Sequence, residues 1–172
     1  MELQPTLTGE LVILRPTAPE DWDALYAVAS DPLIWEIHPA RDRWQEPVFR
    51  EYFDAALASG GGLTIIDKAT GAIIGASRYY NHVPERDEIE IGYSFIARAY
   101  WGGTYNREIK RLMLDHIHQY VETALFIVGE NNFRSQGAMR KIGGVERPER
   151  VMRDYPGGPK PQVVYEIKRR PR

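Results

Sequence analysis

The chain of 172 residues contains no cysteine. Disulfides, thiolate nucleophiles and cysteine-ligated metals are excluded together. Histidine is scarce, with four residues, and none has metal-ligand spacing. His116 and His118 are two apart on a helical pattern, so they do not share a face, and His38 and His82 are isolated. No H-E-x-x-H, G-x-S-x-G, G-x-G-x-x-G or G-x-x-x-x-G-K-[ST] motif occurs, which disfavours zinc-peptidase, serine-hydrolase, dinucleotide and P-loop chemistry. No segment approaches the ~18 apolar residues of a membrane helix. The opening MELQPTLTGE lacks the basic and apolar regions of a signal peptide, so a cytoplasmic protein is expected. Basic charge is not in excess: 22 Lys and Arg stand against 24 Asp and Glu. That argues against a dedicated nucleic-acid binder. The basic cluster KRRPR at 168–172 reads as a solvated tail, or as a patch for an acidic partner.

What is present is an ordinary globular composition, 43% hydrophobic and 27% charged, enough for one domain over 1–172 with its own core. ELVILRP (10–16) reads as a strand. A helix follows over TAPEDWDALYAVASDP, where Thr17 and Glu20 make a capping-box pattern. A second helix fits EPVFREYFDAALASG, with Val48, Tyr52, Ala55 and Ala56 on one side and glycines ending it. LTIIDKATGAIIGASRYY reads as a hairpin around DKATG. DEIEIGYSFIA (87–97) alternates strictly at Glu88, Ile89, Glu90 and Ile91. Ile109, Leu112, Met113, Ile117, Tyr120 and Val121 then form one helical stripe. ALFIV (124–128) is an apolar strand, NNFRSQGAMRKIGG a capped helix, and VERPERVMR and QVVYEIKR two last strands. The predicted order is β-α-α-β-β-β-α-β-α-β-β, a mixed α/β domain.

The stretch YWGGTYNREIKRLML (100–114) places Gly102 and Gly103 directly before the helix with the clearest apolar stripe. Glycines permit positive φ and remove side-chain bulk. The free N–H groups of residues 102–106 would then face one concavity, a geometry suited to an anion such as a pyrophosphate.

This turn, the element order and VGENNFRSQGAMRKIGG resemble the GNAT superfamily of acyl-CoA-dependent N-acyltransferases. The branch resembled is that of the ribosomal-protein N-terminal (alanine) acetyltransferases. Val128, Asn132, Ser135, Lys141 and Gly143 occupy the positions of the family's second motif. The resemblance covers nearly the whole chain. It implies a mostly antiparallel, twisted sheet of about six to seven strands, flanked by about four helices and splayed between strands 87–97 and 124–128. It implies acetyl-CoA as co-substrate, with no metal. Trp101, Gly102, Gly103, Thr104, Tyr105 and Asn106 would hold its pyrophosphate, helped by Lys141. The backbone of Phe95, Ile96 and Ala97 would pair with its pantetheine arm, and Asn132 would bond that arm, cap its own helix, or both. Two features depart from the family. Trp101, Thr104 and Asn106 replace the usual residues of the first motif, and Met139 stands where many members carry a Tyr that protonates the leaving thiolate.

Acyl transfer to an amine needs a base, an oxyanion donor and a proton for the thiolate. Glu90 is the candidate base, through a water, with Glu88 a lesser candidate on the same face; otherwise both are solvent-facing strand positions or pair with Arg78 on the neighbouring strand. Ser135 is the candidate acid, or else a local helix contact. The acceptor is expected among Trp35, His38, Tyr79, Tyr80, Asn81 and Tyr155, with residues 35–44 as a lid. It would be an amine-bearing small molecule or a protein N-terminus, and the acidic charge balance leans toward a cationic one. Neither nucleic acid nor membrane is expected as a partner, and a monomer or a homodimer is compatible. A non-catalytic acyl-CoA-binding or sensing module is the alternative, and loss of coenzyme binding a further one.

Overall fold

The structure, a computed structural model, describes residues 1–171. The chain opens with β1 (Leu7–Thr8) and β2 (Val12–Pro16), then α1 (Trp22–Ala29) and α2 (Glu46–Ser59). A meander of β3 (Gly62–Asp67), β4 (Ile73–Val83) and β5 (Glu88–Ile96) follows. Next come α3 (Thr104–Ile117), β6 (Thr123–Gly129), α4 (Phe133–Lys141), and a hairpin of β7 (Val145–Tyr155) and β8 (Gly158–Lys168). This is the predicted order with one two-residue strand added at the start.

All eight strands share one sheet, in the order β1-β2-β3-β4-β5-β6-β8-β7. Among the described residues only the β5–β6 pair is parallel. Both faces of the sheet are covered. Ile109, Met113 and Ile117 of α3 and Met139 of α4 close one core over Leu14, Ile65, Ile89 and Ile91. Leu25 and Ala29 of α1 and Phe49, Tyr52 and Phe53 of α2 close the other over Ala76 and Phe95, together with Trp35. Strict alternation along β5 would put Phe95 on the face of Ile89 and Ile91. Tyr93 breaks it: its φ of 52° marks a bulge-like kink that sends the next residues to opposite faces.

Glu108 fixes α3 on the sheet. Its buried carboxylate accepts the N–H groups of Glu10, Leu11 and Val12 at 2.7, 2.8 and 2.9 Å. The turn comes so close that a Cβ at Gly9 would sit 2.5 Å from the Glu108 carboxyl carbon. Pro159 and Pro161 pair only with β7, because β6 joins β8 from Gln162 onward.

Three local expectations are corrected. The first helical turn is organised by Asp21, not by Thr17 with Glu20. Asp21 accepts from the Ala18 N–H at 2.9 Å, from both terminal nitrogens of Arg15 at 2.9 and 2.7 Å, and from Thr64 Oγ1 at 2.9 Å. The buried face of α2 is Phe49, Tyr52, Phe53 and Ala56; Ala55 is exposed. The last hairpin turns tightly at residues 156–157, so most of DYPGGPKP is strand. Among the described residues, no helix is long and apolar enough to cross a membrane.

Candidate active site

β5 and β6 are paired only over Glu88–Glu90 and Thr123–Leu125. Beyond that point each strand follows its other neighbour. β5 stays with β4 to Ile96, and β6 stays with β8 to Gly129. Their facing edges diverge, and a cleft of about 510 Å³ opens between them. Unpaired backbone donors and acceptors therefore line its walls, as they do at a sheet edge awaiting a strand.

At one end lies the glycine turn. Gly102 has φ 80°, the left-handed conformation that favours glycine. Gly103 is extended, with φ −164°, so only one of the two glycines takes the positive φ expected of both. A Cβ on either would meet nothing within 4 Å, so the space beside them is open. No side chain caps α3, which leaves its first N–H groups free for an anion.

The electrostatics of the lining are one-sided. Among the described residues Arg107, Lys110, Arg134 and Lys141 line the cleft, and no Asp or Glu does. Lys110 is the deepest of them, buried with its Nζ donating to Ser94 Oγ at 3.0 Å. Ser94 in turn shares a 2.7 Å hydrogen bond with Ser77. Burial without a carboxylate pushes the Lys110 ammonium down to about 8. The Arg134 guanidinium stacks 3.7 Å from the Trp101 ring, whose Nε1 donates to Ile96 O at 3.0 Å.

α4 supplies the opposite wall. Asn132 caps the helix, its side chain accepting from the Ser135 N–H at 3.3 Å. That leaves the Ser135 hydroxyl without a protein partner among the described residues, on the cleft surface. Met139 packs beside it with 4% exposure.

The other end is aromatic: Trp35, His38, Tyr93 and Tyr155 line it. Tyr155 reaches it from the tip of the β7–β8 hairpin, its ring centroid 6.4 Å from that of His38. His38 Nδ1 accepts from the Ala40 N–H at 2.9 Å, so the neutral ring carries its proton on Nε2 and can donate into the cleft. Burial first, then the charges of Arg43 and Arg134, push this imidazole down to about 3.

The expected site residues divide accordingly. Phe95, Ile96, Trp101, Gly102, Gly103, Asn106, Asn132, Ser135 and Lys141 line the cleft, as do Trp35, His38 and Tyr155. Ala97 does not; its N–H donates to Ile74 O at 2.8 Å. Thr104 is exposed outside the cleft and does not fill it. Tyr105 turns away, donating to Asp67 at 2.9 Å. Tyr79 is a core residue, fully buried on the α3 face with its hydroxyl on Met113 O at 2.6 Å. Tyr80 and Asn81 gather around Glu90 at the apex of the splay instead. Asn81 donates to Glu90 Oε2 at 2.7 Å, and Arg153 of β7 to Oε1 at 2.6 Å. The pairing weighed for Glu90 therefore exists, but with Arg153, not Arg78. The cations Arg107, Lys110 and Arg134 were not singled out by sequence. The spacing of Arg107 and Lys110, one helical turn apart just after the glycines, was the available signal.

A family model described as the acetyltransferase (GNAT) domain matches residues 12–145. No curated protein matches the chain at significant similarity. Among solved structures, a GCN5-related N-acetyltransferase from Brucella melitensis is 18% identical, with a TM-score of 0.83 over 96% of this chain and 79% of that one. The acetyltransferase from Agrobacterium tumefaciens is 25% identical, with a TM-score of 0.72 over 96% and 95%. A Vibrio cholerae protein described as a candidate ribosomal-protein-serine acetyltransferase is 13% identical, with a TM-score of 0.76 over 98% and 100%.

Proposed function

The chain belongs to the GNAT acetyltransferase family, and we propose that it is an N-acetyltransferase that moves an acetyl group from acetyl-CoA to a primary amine. One observation carries this reading: a cleft between splayed strands, beside a glycine turn, lined by four cations and no carboxylate. A polyphosphorylated, amide-bearing chain suits that lining at both levels. Cations and free helix N–H groups meet its phosphates, and unpaired strand edges meet its amides.

When bound, acetyl-CoA supplies a thioester whose C–S bond breaks as the amine forms the new C–N bond, with the amine proton lost and the thiolate protonated. In this chain the turn at Gly102 and Gly103, with Arg107 and Lys141, would hold phosphates. The edges of Ile91–Ile96 and Phe126–Gly129 would orient the arm. Ser135 offers the free hydroxyl to the departing sulfur, the role that the Met139 thioether cannot fill. Glu90, at the apex, takes the amine proton through a water while Arg153 and Asn81 hold its carboxylate in place. Trp35, His38 and Tyr155 shape the acceptor end.

Two observations favour a second reading, a non-catalytic acyl-CoA-binding module: both Glu90 oxygens are already engaged, and a Met occupies position 139. Release of free thiol from acetyl-CoA, measured over a panel of small amines and short peptides, separates the two. Amine-dependent release supports transfer. Coenzyme binding with no release for any amine favours the module.

A further inference from the structure

Behind the aromatic end of the cleft lie two positive charges with no negative partner. The Arg43 guanidinium stands 5.3 Å from the Trp35 ring, 5.2 Å from Tyr52 and 5.8 Å from Tyr93. Arg78 stands 5.3 Å from the same Tyr52 ring and 4.0 Å from Tyr93. Arg78 is 5% exposed, donates once to Tyr52 O at 3.1 Å, and leaves its Nε buried without a partner. Neither arginine takes part in any ion pair among the described residues. Burial and the neighbouring Arg78 both weaken the Arg43 cation, and only tyrosines favour it. Burial pushes the Tyr52 hydroxyl up to about 12 and also raises that of Tyr155, so neither supplies a negative charge at neutral pH.

Two like charges confined in one aromatic box are costly. Cation–π contact recovers only part of that cost. An anion between them would neutralise the box, and a guanidinium fork matches a carboxylate in two parallel hydrogen bonds. Neither arginine lines the cleft itself, but Trp35 and Tyr93, which the Arg43 guanidinium approaches, both do, so Arg43 lies one aromatic layer behind the acceptor end. Coenzyme phosphates are provided for at the opposite end, by the turn and by Arg107 and Lys141. The net charge of −2 suggested a cationic acceptor, but the local field at the acceptor end has the opposite sign.

We infer that the acceptor amine carries a carboxylate, held by Arg43 with Arg78 behind it, so that the substrate class is amino acids or related small aminocarboxylates. The inference rests on the acetyltransferase reading above.

The test uses the intact chain with acetyl-CoA and matched acceptors: each L-amino acid, its amide and its decarboxylated amine. Thiol release gives kcat/KM, and thermal unfolding with CoA plus N-acetyl amino acids or their amides gives binding without turnover. The expected result is a preference of about tenfold or more for carboxylates over matched amides in at least one side-chain class. Arg43→Gln abolishes that preference and leaves the stabilisation by CoA unchanged. Equal use of acids and amides, or a preference that survives Arg43→Gln, overturns the inference. If no acceptor turns over, stabilisation by N-acetyl amino acids but not by their amides upholds it, and stabilisation by neither overturns it. No thiol release together with no stabilisation by acetyl-CoA marks failure of the acetyltransferase reading itself.

Discussion

Glu90 and Leu125 are the last residues that hold β5 and β6 together, and from the next residue onward the two strands face each other across open space. Each strand has a longer pairing on its far side. β4 pairs with β5 to Ile96, and β8 pairs with β6 through Gly129. The sheet thus stays continuous while its middle opens, and the cleft is built from backbone as much as from side chains.

The space beside Gly103, proposed above to take coenzyme phosphate, is open, so a side chain there should fill it while the fold is kept. Gly103 is extended and a Cβ meets nothing within 4 Å. Gly103 is the N-cap of α3, so Gly103→Val should lower unliganded stability by about 1 kcal/mol, the cost of a poor capping residue, and still leave the protein folded. It should weaken CoA binding about tenfold or more, as measured by calorimetric titration.

Lys110 predicts an alkaline signature. Its folded value of about 8 lies below the ordinary 10.5. Below pH 8 both folded and unfolded states carry the charge, and the burial penalty is constant. Between 8 and 10.5 the unfolded state holds more protons, so stability rises with pH through that window, by about 3 kcal/mol at most. Lys110→Met should remove this rise, and denaturant midpoints at pH 7.5 and 10 for both proteins measure it.

Catalytic roles separate kinetically. Glu90→Gln keeps the Asn81 contact and removes the charge that faces Arg153, so kcat should fall about 100-fold or more. Ser135→Ala should lower kcat about tenfold with KM for acetyl-CoA unchanged, since its backbone N–H and not its hydroxyl bonds Asn132. Steady-state kinetics across pH check both.

Asp21 is a structural prediction away from the site. Burial opposes its ionisation, but hydrogen bonds from Arg15, Ala18 and Thr64 hold the carboxyl below its usual 3.8. Its stabilisation is therefore present above pH 3.8 and lost as pH falls through the lower folded value. Asp21→Ala at neutral pH should cost about 2 kcal/mol and lower the unfolding midpoint by about 4–8 °C.

The sequence showed the element order well, because alternation at Glu88–Ile91 and the Ile109–Met113–Ile117 stripe are local signals. The face of α2 was less legible. Val48 and Ala55 fit helical spacing as well as Phe49 and Phe53 do, and only the volume of the opposite core selects the aromatics. Asp21 won over Glu20 because Arg15 and Thr64 reach it from two strands, which no local window shows. Tyr79 and Tyr80 were separable in principle, since neighbours on a strand point to opposite faces. The kink at Tyr93 and the unpaired Arg43 were not, because both depend on packing between segments distant in the chain.

Thermal unfolding with and without saturating CoA or acetyl-CoA tests the central claim most directly, that the cleft between β5 and β6 is a coenzyme site. At a hundredfold excess over the dissociation constant, either ligand should stabilise the protein by about 2.7 kcal/mol. For a chain of this size that raises the midpoint by about 5–10 °C. An unchanged midpoint with both ligands at millimolar concentration would contradict the claim, and would reduce the cationic cleft to a feature of the fold alone.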